Sequence, residues 1–85
     1  MAQKGSLEPR GTVRTRVGEL IAAEKARGNG DKVTYRALAE TLGMSKTTIT
    51  AWANSTVKQY DAEKLALFCE FFDVDIDDVL VYEPE

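Results

Sequence analysis

The sequence predicts an all-α domain, and three features indicate this. Apolar residues recur at three- and four-residue intervals along most of the chain. Small polar residues stand where helices would begin, and glycines stand where they would end. The longest candidate strand is the short run from Val79 to Tyr82. Because 85 residues suit one small domain, we expect one compact body of five helices.

The first predicted helix follows an N-terminal arm. Residues 1–12 combine glycine, proline and bases without apolar periodicity, which predicts a flexible arm. Thr12 is a candidate N-cap, and the apolar residues after it follow helical spacing: Val13, Val17, Leu20 and Ile21. The run Gly28-Asn29-Gly30-Asp31 favours turns and ends this helix.

The next two helices are short and close together in the sequence. Thr34 can cap a helix from Tyr35 to Leu42, and Gly43 stands where a left-handed C-terminal residue belongs. Ser45 can then cap a third helix, from Lys46 to about Ala53. So short a turn makes the two helices cross steeply.

The C-terminal part predicts two more helices. Asp61 can cap the fourth, in which Leu65, Phe68, Cys69 and Phe72 share one face. Asp75 can cap a fifth, from Ile76 to Leu80, so the domain would span residues 13–80 with a tail at 81–85. An apolar stripe continues past this helix and indicates either core closure or a subunit contact: Leu80, Val81 and Tyr82.

The charge is unevenly distributed along the chain. Residues 1–60 carry ten bases and five acids, a net +5, whereas residues 61–85 carry nine acids and one base, a net −8, which together give −3. This polarity indicates one surface for a polyanion and another turned away from it, although a solvated acidic tail would look the same. Three N-terminal bases could either touch phosphate or only confer solubility: Arg10, Arg14 and Arg16.

Several functional classes lack their usual residues. The chain has no His and only Cys69, so it cannot form an internal disulfide, a Cys/His metal cluster or a His-activated nucleophile. We interpret Cys69 as a packed apolar residue. The aspartates at positions 73, 75, 77 and 78 lack the glycine and distal Glu of a calcium loop. We therefore expect no enzyme activity, cofactor or metal. Without a long apolar run or a leader, we expect a cytoplasmic protein with no membrane association.

The third predicted helix has two different faces. Ile49 and Trp52 share the face that would anchor it to the core. The opposite face is small and uncharged except at Lys46: it holds Thr47, Thr50, Ala51 and Asn54, with Lys46 and Thr48 at its edges. Such a ridge can enter the DNA major groove, about 12 Å wide, without stranding a charge.

These residues also resemble a known family. The order Leu38-Ala39, Gly43-Met44-Ser45, Ile49, Trp52 and Asn54 is similar to the helix-turn-helix of lambda-repressor-like regulators, the Cro/cI or XRE type. Asp61 to Leu80 looks like the fourth and fifth helices of that family, so the resemblance covers about Val13 to Leu80. It implies a five-helix lambda-repressor-like fold in which helices 2 and 3 form the motif. The implied function is sequence-specific binding of double-stranded DNA by a bacterial or phage-type, nucleoid-associated regulator, most simply a repressor.

The resemblance also implies roles for individual residues. The base-reading positions would be Lys46, Thr47, Thr50 and Ala51. The phosphate-binding positions would be Thr34, Tyr35, Ser45, Asn54, Thr56 and Lys58. Lys46 and Lys58 could also be ordinary surface lysines. One domain makes few base contacts, so we expect a homodimer on a palindromic operator.

The chain departs from the family pattern in four places. Ser55 stands where the family often has Gly. Tyr35 stands where many relatives have Gln, and the link from Ala26 to Val33 is longer than usual, so Arg27 or Lys32 could add a phosphate contact. Ile21 and Ala53 stand where relatives place an Arg–Glu ion pair. Replacing such a pair by apolar packing is often neutral or stabilising, so the fold should persist.

One other class of function fits the sequence. A helix-turn-helix antitoxin or adaptor would have a protein as its main partner, bound through the acidic C-terminal segment. A basic partner that co-purifies, or failure to bind DNA at low salt, would favour this class.

Overall fold

The computed structural model describes residues 9–85 and shows four α-helices with a two-stranded antiparallel sheet. The elements are, in order, β1 (Thr12–Thr15), α1 (Val17–Ala26), α2 (Tyr35–Leu42), α3 (Lys46–Ala53), α4 (Ala62–Phe72) and β2 (Leu80–Glu83). Single 3-10 turns occupy Gly30–Lys32 and Ile76–Asp78. The helix-turn-helix expectation is met, but the five-helix, all-α description is corrected by the sheet.

The strand β1 replaces the expected start of the first helix. Thr12 pairs with Glu83 and Thr15 pairs with Leu80, so Thr12 does not cap a helix and α1 begins only at Val17. Thr15 is buried, with 3% of its surface exposed, while its neighbour Arg14 is half-buried. Exposure falls along β1, from the exposed Thr12 and Val13 to the buried Thr15, so this four-residue run shows no period-2 alternation from which a strand could be predicted. The predicted arm, residues 1–12, therefore ends inside β1, and its first eight residues lie outside the described part.

The chain end is also a strand instead of a helix and tail. The predicted helix from Ile76 to Leu80 is reduced to one 3-10 turn that ends at Asp78. Three residues of the expected tail at 81–85 belong to β2 instead. Leu80 and Val81 are half-buried, while Tyr82 keeps 59% of its surface exposed. β-branched and aromatic residues favour such pairing once a partner strand is present.

One hydrophobic core lies between the helices. Its buried side chains come from every helix and from two connecting segments: Val17, Ile21, Val33, Leu38, Ile49, Trp52, Phe68, Phe72 and Val79. Trp52 is central, with its ring 5.1 Å from that of Phe68 and 5.7 Å from that of Tyr60. Trp52 and Ile49 therefore anchor α3, as predicted. Within residues 9–85, the helices are too short or too polar to cross a bilayer.

The helix α1 lies very close to the end of α3. A Cβ atom added at Gly18 would lie 2.7 Å from the carbonyl oxygen of Ala53. Only glycine fits so near a backbone oxygen without a shift. Ile21 is buried and Ala53 is packed against the same core, so the two positions that departed from the family pattern both join the apolar interior.

Candidate nucleic-acid interface

The turn between α2 and α3 has the expected caps. The Thr34 hydroxyl accepts the Ala37 N–H at 3.0 Å, which begins α2. Gly43 ends α2 in the left-handed region, with a φ of +69°. Met44 then donates its N–H to the Ala39 carbonyl at 3.0 Å. The predicted bounds of α2 are confirmed, and the glycine is needed for this turn.

The helix α3 begins at a second cap. The Ser45 hydroxyl accepts the Thr48 N–H at 3.1 Å, and the two hydroxyls lie 2.9 Å apart. At the other end, Asn54 donates its N–H to the Thr50 carbonyl at 2.9 Å. The predicted bounds of α3, Lys46 to Ala53, are also confirmed.

The four predicted base-reading residues lie on one outward face of α3. Lys46 and Thr47 are exposed, and Thr50 and Ala51 are half-buried at the side of the same ridge. The Thr50 hydroxyl donates to the Lys46 carbonyl at 2.8 Å. Thr50 therefore presents its methyl group and an acceptor lone pair outward, while its hydroxyl proton is used within the helix.

The six predicted phosphate-binding residues flank this ridge in two groups. Thr34, Tyr35 and Ser45 lie at the first turns of α2 and α3, where unpaired helix N–H groups concentrate. The Thr34 and Ser45 hydroxyls already serve as caps, and Tyr35 is half-buried against the core. The other group follows the end of α3 and is exposed: Asn54, Thr56 and Lys58.

The charges around the ridge are unequally paired. Within residues 9–85, neither Lys46 nor Lys58 has an acidic partner within 4.0 Å. In contrast, Arg14 contacts Glu83 at 2.6 Å and Glu19 at 3.0 Å. The remaining ion pairs of the same region are Arg10–Glu85, Arg16–Glu19, Arg27–Glu24, Arg36–Glu40 and Lys64–Asp61. Among the described residues, no acidic side chain therefore lies beside either lysine of the candidate interface.

The arginines near the N-terminus are mostly neutralised by acids. Hydrogen bonds from Arg16 and then Arg14 lower the pKa of the Glu19 carboxyl, and bonds to Glu83 and Glu19 raise the pKa of Arg14. Arg14 thus links β1 to α1 and to β2, and Arg16 pairs with Glu19 in the first turn of α1. This packing favours a structural role for these two residues over the phosphate contact considered from the sequence.

A groove of about 310 Å³ runs between α3 and the start of α4. Its walls comprise Thr47, Thr48, Ala51, Trp52, Val57, Gln59, Asp61 and Lys64. The Asp61 carboxylate caps α4 by accepting the Glu63 N–H at 2.7 Å and the Lys64 N–H at 3.2 Å. The bond from the Lys64 N–H has the larger effect and the bond from the Glu63 N–H the smaller, and together they hold the pKa of Asp61 below its ordinary value. The acid that lines this groove is thereby bound to its own helix.

Two residues that hold the end of α3 were missed from the sequence. The Thr15 hydroxyl donates to the Trp52 carbonyl, and the Thr15 N–H donates to the Ser55 hydroxyl at 2.9 Å. Ser55 itself has a left-handed φ of +60°. The sequence signal for this contact was Ser55, because the family that the sequence resembles often has Gly at this position. Serine keeps the required conformation and adds an acceptor for β1, so the strand fixes the end of the candidate recognition helix.

Cys69 shows no sign of a separate site. It is half-buried on α4, and burial raises the pKa of its thiol, with nearby carboxylates acting in the same direction. A raised pKa lowers the thiolate fraction on which reactivity depends. In the described region, no group of His, Cys, Asp and Glu side chains is arranged to hold a metal ion.

Comparison with known proteins agrees with this geometry. The sequence model of the Cro/C1-type helix-turn-helix DNA-binding domain matches residues 31–85, more than half of the chain. The protein therefore belongs to this family of DNA-binding domains. Its fold is similar to the crystal structure of a Bacteroides fragilis protein provisionally described as DNA-binding, with a TM-score of 0.66 and 24% identity over 82% of this chain and 100% of that one. No curated protein matches the chain.

Proposed function

We propose that this protein is a sequence-specific regulator that inserts α3 into the major groove of an operator and represses transcription. The observation that carries the proposal is the exposed small-residue face of α3 with the unpaired Lys46 at its start. Buried Ile49 and Trp52 hold the opposite face, so the ridge is rigidly presented. Such a regulator works on the nucleoid in the cytoplasm.

Direct readout follows from the chemistry of the ridge. The Lys46 ammonium can donate to guanine O6 and N7, and the methyl groups of Thr47 and Ala51 can contact thymine. Thr50 adds a methyl group and an acceptor at the side of the ridge. A good base contact discriminates by about 1–3 kcal/mol, so a few such contacts per subunit give useful specificity only when two subunits bind together. We therefore propose a homodimer on a palindromic site.

Phosphate contacts set the register of α3 in the groove. The N–H groups at the start of α2, at Thr34 and Tyr35, and at Ser45 suit one phosphate strand. Exposed Asn54, Thr56 and Lys58 suit the other. Because each neutralised phosphate releases counterions, the logarithm of the binding constant should fall by about 0.9 per contact for each tenfold rise in salt.

The first experiment is selection of bound sequences from a random duplex pool. A palindromic consensus is the expected result. Binding of Lys46→Ala and Thr47→Ala to that consensus is then compared with binding of Lys25→Ala. Lys25 is an exposed lysine on α1 that also lacks an acidic partner among residues 9–85. Its replacement by Ala therefore changes the net charge by the same amount as Lys46→Ala.

We expect the α3 variants to lose about 5- to 100-fold in affinity and to change sequence preference, as the loss of a base contact predicts. The control variant should bind within about twofold of the parent protein, because surface changes away from a contact have small effects. Equal losses in Lys46→Ala and Lys25→Ala, with no loss in Thr47→Ala, would show that only the total charge matters. Binding without any sequence preference would also contradict the proposal.

The acidic C-terminal segment favours a second candidate. Its acids are largely exposed and mostly lack basic partners within residues 9–85: Glu63, Glu70, Asp73, Asp75 and Asp77. This surface suits a basic protein partner of the kind bound by an antitoxin or adaptor. No retention on duplex DNA at low salt, with a stoichiometric complex of a purified basic partner, would select this candidate.

A further inference from the structure

The sheet has one covered edge and one open edge. On β1, the Thr15 N–H donates to the Ser55 hydroxyl, and the Val13 carbonyl accepts the Tyr60 hydroxyl at 3.3 Å. The Arg16 N–H points the other way and donates to the Val79 carbonyl at 2.7 Å. Alternation along a strand then directs the backbone groups of residues 12, 14 and 16 toward β2, and the outer edge of β1 is covered by the domain itself.

The same alternation identifies the open groups of β2. Arg14 lies opposite Val81 and Thr12 lies opposite Glu83, so Val81 and Glu83 direct their backbone groups toward β1. Leu80 and Tyr82 therefore direct theirs outward. Within residues 9–85, no hydrogen bond reaches the N–H or carbonyl groups of these two residues. An open strand edge of this kind is a template for another strand.

We propose that the open edge of β2 pairs with the β2 edge of a second copy of this chain, antiparallel across a twofold axis, to give a continuous four-stranded sheet. This inference rests on the proposed function for its dimer, and it adds the surface and the register. A twofold contact uses the same edge on both copies, which an antiparallel pair of identical strands satisfies.

Only one register uses every open group. If the axis passes through Val81, Leu80 of each copy lies opposite Tyr82 of the other, and all four outward N–H groups find carbonyl partners. An axis at Tyr82 would place Leu80 opposite Pro84, which has no N–H. An axis at Leu80 would place Tyr82 opposite Asp78, which lies in the 3-10 turn. The axis at Val81 is therefore selected.

The side chains and charges are compatible with this register. Tyr82, with 59% of its surface exposed, provides apolar surface at the open edge, and Val13, 45% exposed, lies opposite it on β1. Tyr82 of one copy would lie beside half-buried Leu80 of the other. The two Glu83 residues would be four positions apart, about 13 Å. This exceeds the screening length of about 8 Å, and Arg14 already pairs with each Glu83.

Cross-linking tests the register without DNA. In a Cys69→Ser background, Val81→Cys places two thiols opposite each other at a pair with a Cα separation of about 4.5 Å, which suits a disulfide. Glu83→Cys is the matched control, because its two thiols would be far apart. We expect rapid oxidation to a disulfide dimer for Val81→Cys and none for Glu83→Cys. Equal cross-linking of both variants, or of neither, would overturn the register.

A proline tests the edge itself. Tyr82→Pro removes an outward N–H that makes no bond to β1, whereas Tyr82→Thr removes the aromatic ring and keeps the N–H. In sedimentation equilibrium we expect a dimer for the parent chain, at least a tenfold weaker dimer for Tyr82→Pro, and a retained dimer for Tyr82→Thr. Thermal melting of each variant verifies folding. A monomeric parent chain at high concentration, or a dimer indifferent to Tyr82→Pro, would refute the proposal.

The DNA measurements separate this inference from the proposed function. If the Val81→Cys dimer cross-links but binds no duplex DNA, the interface is supported and the proposed regulator function is refuted. If the chain binds an operator but its dimer is as stable with Tyr82→Pro as without it, the regulator is supported and the proposed interface is refuted. If the chain is a monomer whose β2 edge binds a strand of another protein, the partner at this edge is that protein and the proposal of a second copy is wrong.

Discussion

The hydrogen bond between Thr15 and the end of α3 gives the sharpest test of the fold. Thr15→Val keeps the size and the branched Cβ of the side chain but removes the hydroxyl that donates to the Trp52 carbonyl. A buried acceptor left without its partner costs about 1–3 kcal/mol. The carbonyl would keep a longer bond from the Ser55 N–H, at 3.3 Å, so we expect the lower part of this range, about 1–2 kcal/mol.

The assay is thermal unfolding followed by far-ultraviolet circular dichroism. In a domain of this size each kcal/mol lowers the Tm by about 4–8 °C, so the expected fall is about 4–16 °C. Thr12→Val is the matched control, because it makes the same chemical change at an exposed position of the same strand. Its free energy of unfolding should change by less than about 0.5 kcal/mol. Equal Tm values for the two variants would refute the idea that β1 holds α3 through this bond.

Three further predictions follow from single contacts. Gly18→Ala should lower the Tm although alanine favours helices, because the new Cβ would press on the Ala53 carbonyl; a rise would show that α1 can shift away. Ser45→Ala should cost about 1 kcal/mol by leaving the Thr48 N–H uncapped, while Ser45→Asn should restore most of the loss on chemical denaturation. Because the pKa of Asp61 is lowered in the folded state, its stabilising contribution is present above the ordinary carboxyl range and is lost as pH falls through the folded pKa. Asp61→Asn should therefore make the free energy of unfolding less dependent on pH below about pH 4. An unchanged pH dependence in this range would contradict the cap.

The helix-turn-helix was predictable because its signals are local. Thr34, Gly43 and Ser45 mark the helix ends within a few residues, and hydroxyl caps and left-handed glycine depend on neighbouring backbone only. Ile49 and Trp52 follow from helical spacing in the same way. The buried face of α3 was therefore predicted from local spacing, while the contacts of its opposite face with bases remain a prediction.

The sheet could not be obtained from the same kind of signal. Each strand has four residues, and each owes its hydrogen bonds to the other end of the described chain. The segment at Thr12 contains both a plausible helix cap and several β-branched residues, and only tertiary pairing decides between helix and strand. The roles of Thr15 and Ser55 depend on that pairing, so they were missed with it.

The distance in sequence between the two strands affects the order in which the molecule assembles. Arg14 and Glu83 are 69 positions apart, whereas the caps and turns of α2 and α3 join neighbours. Closing so large a loop costs entropy that is repaid only after the helices have brought the strands together. We therefore expect the two strands to pair last during folding and to separate first during unfolding. The end of α3 would then lose its hydrogen bonds to β1 before the buried side chains of α3 leave the core.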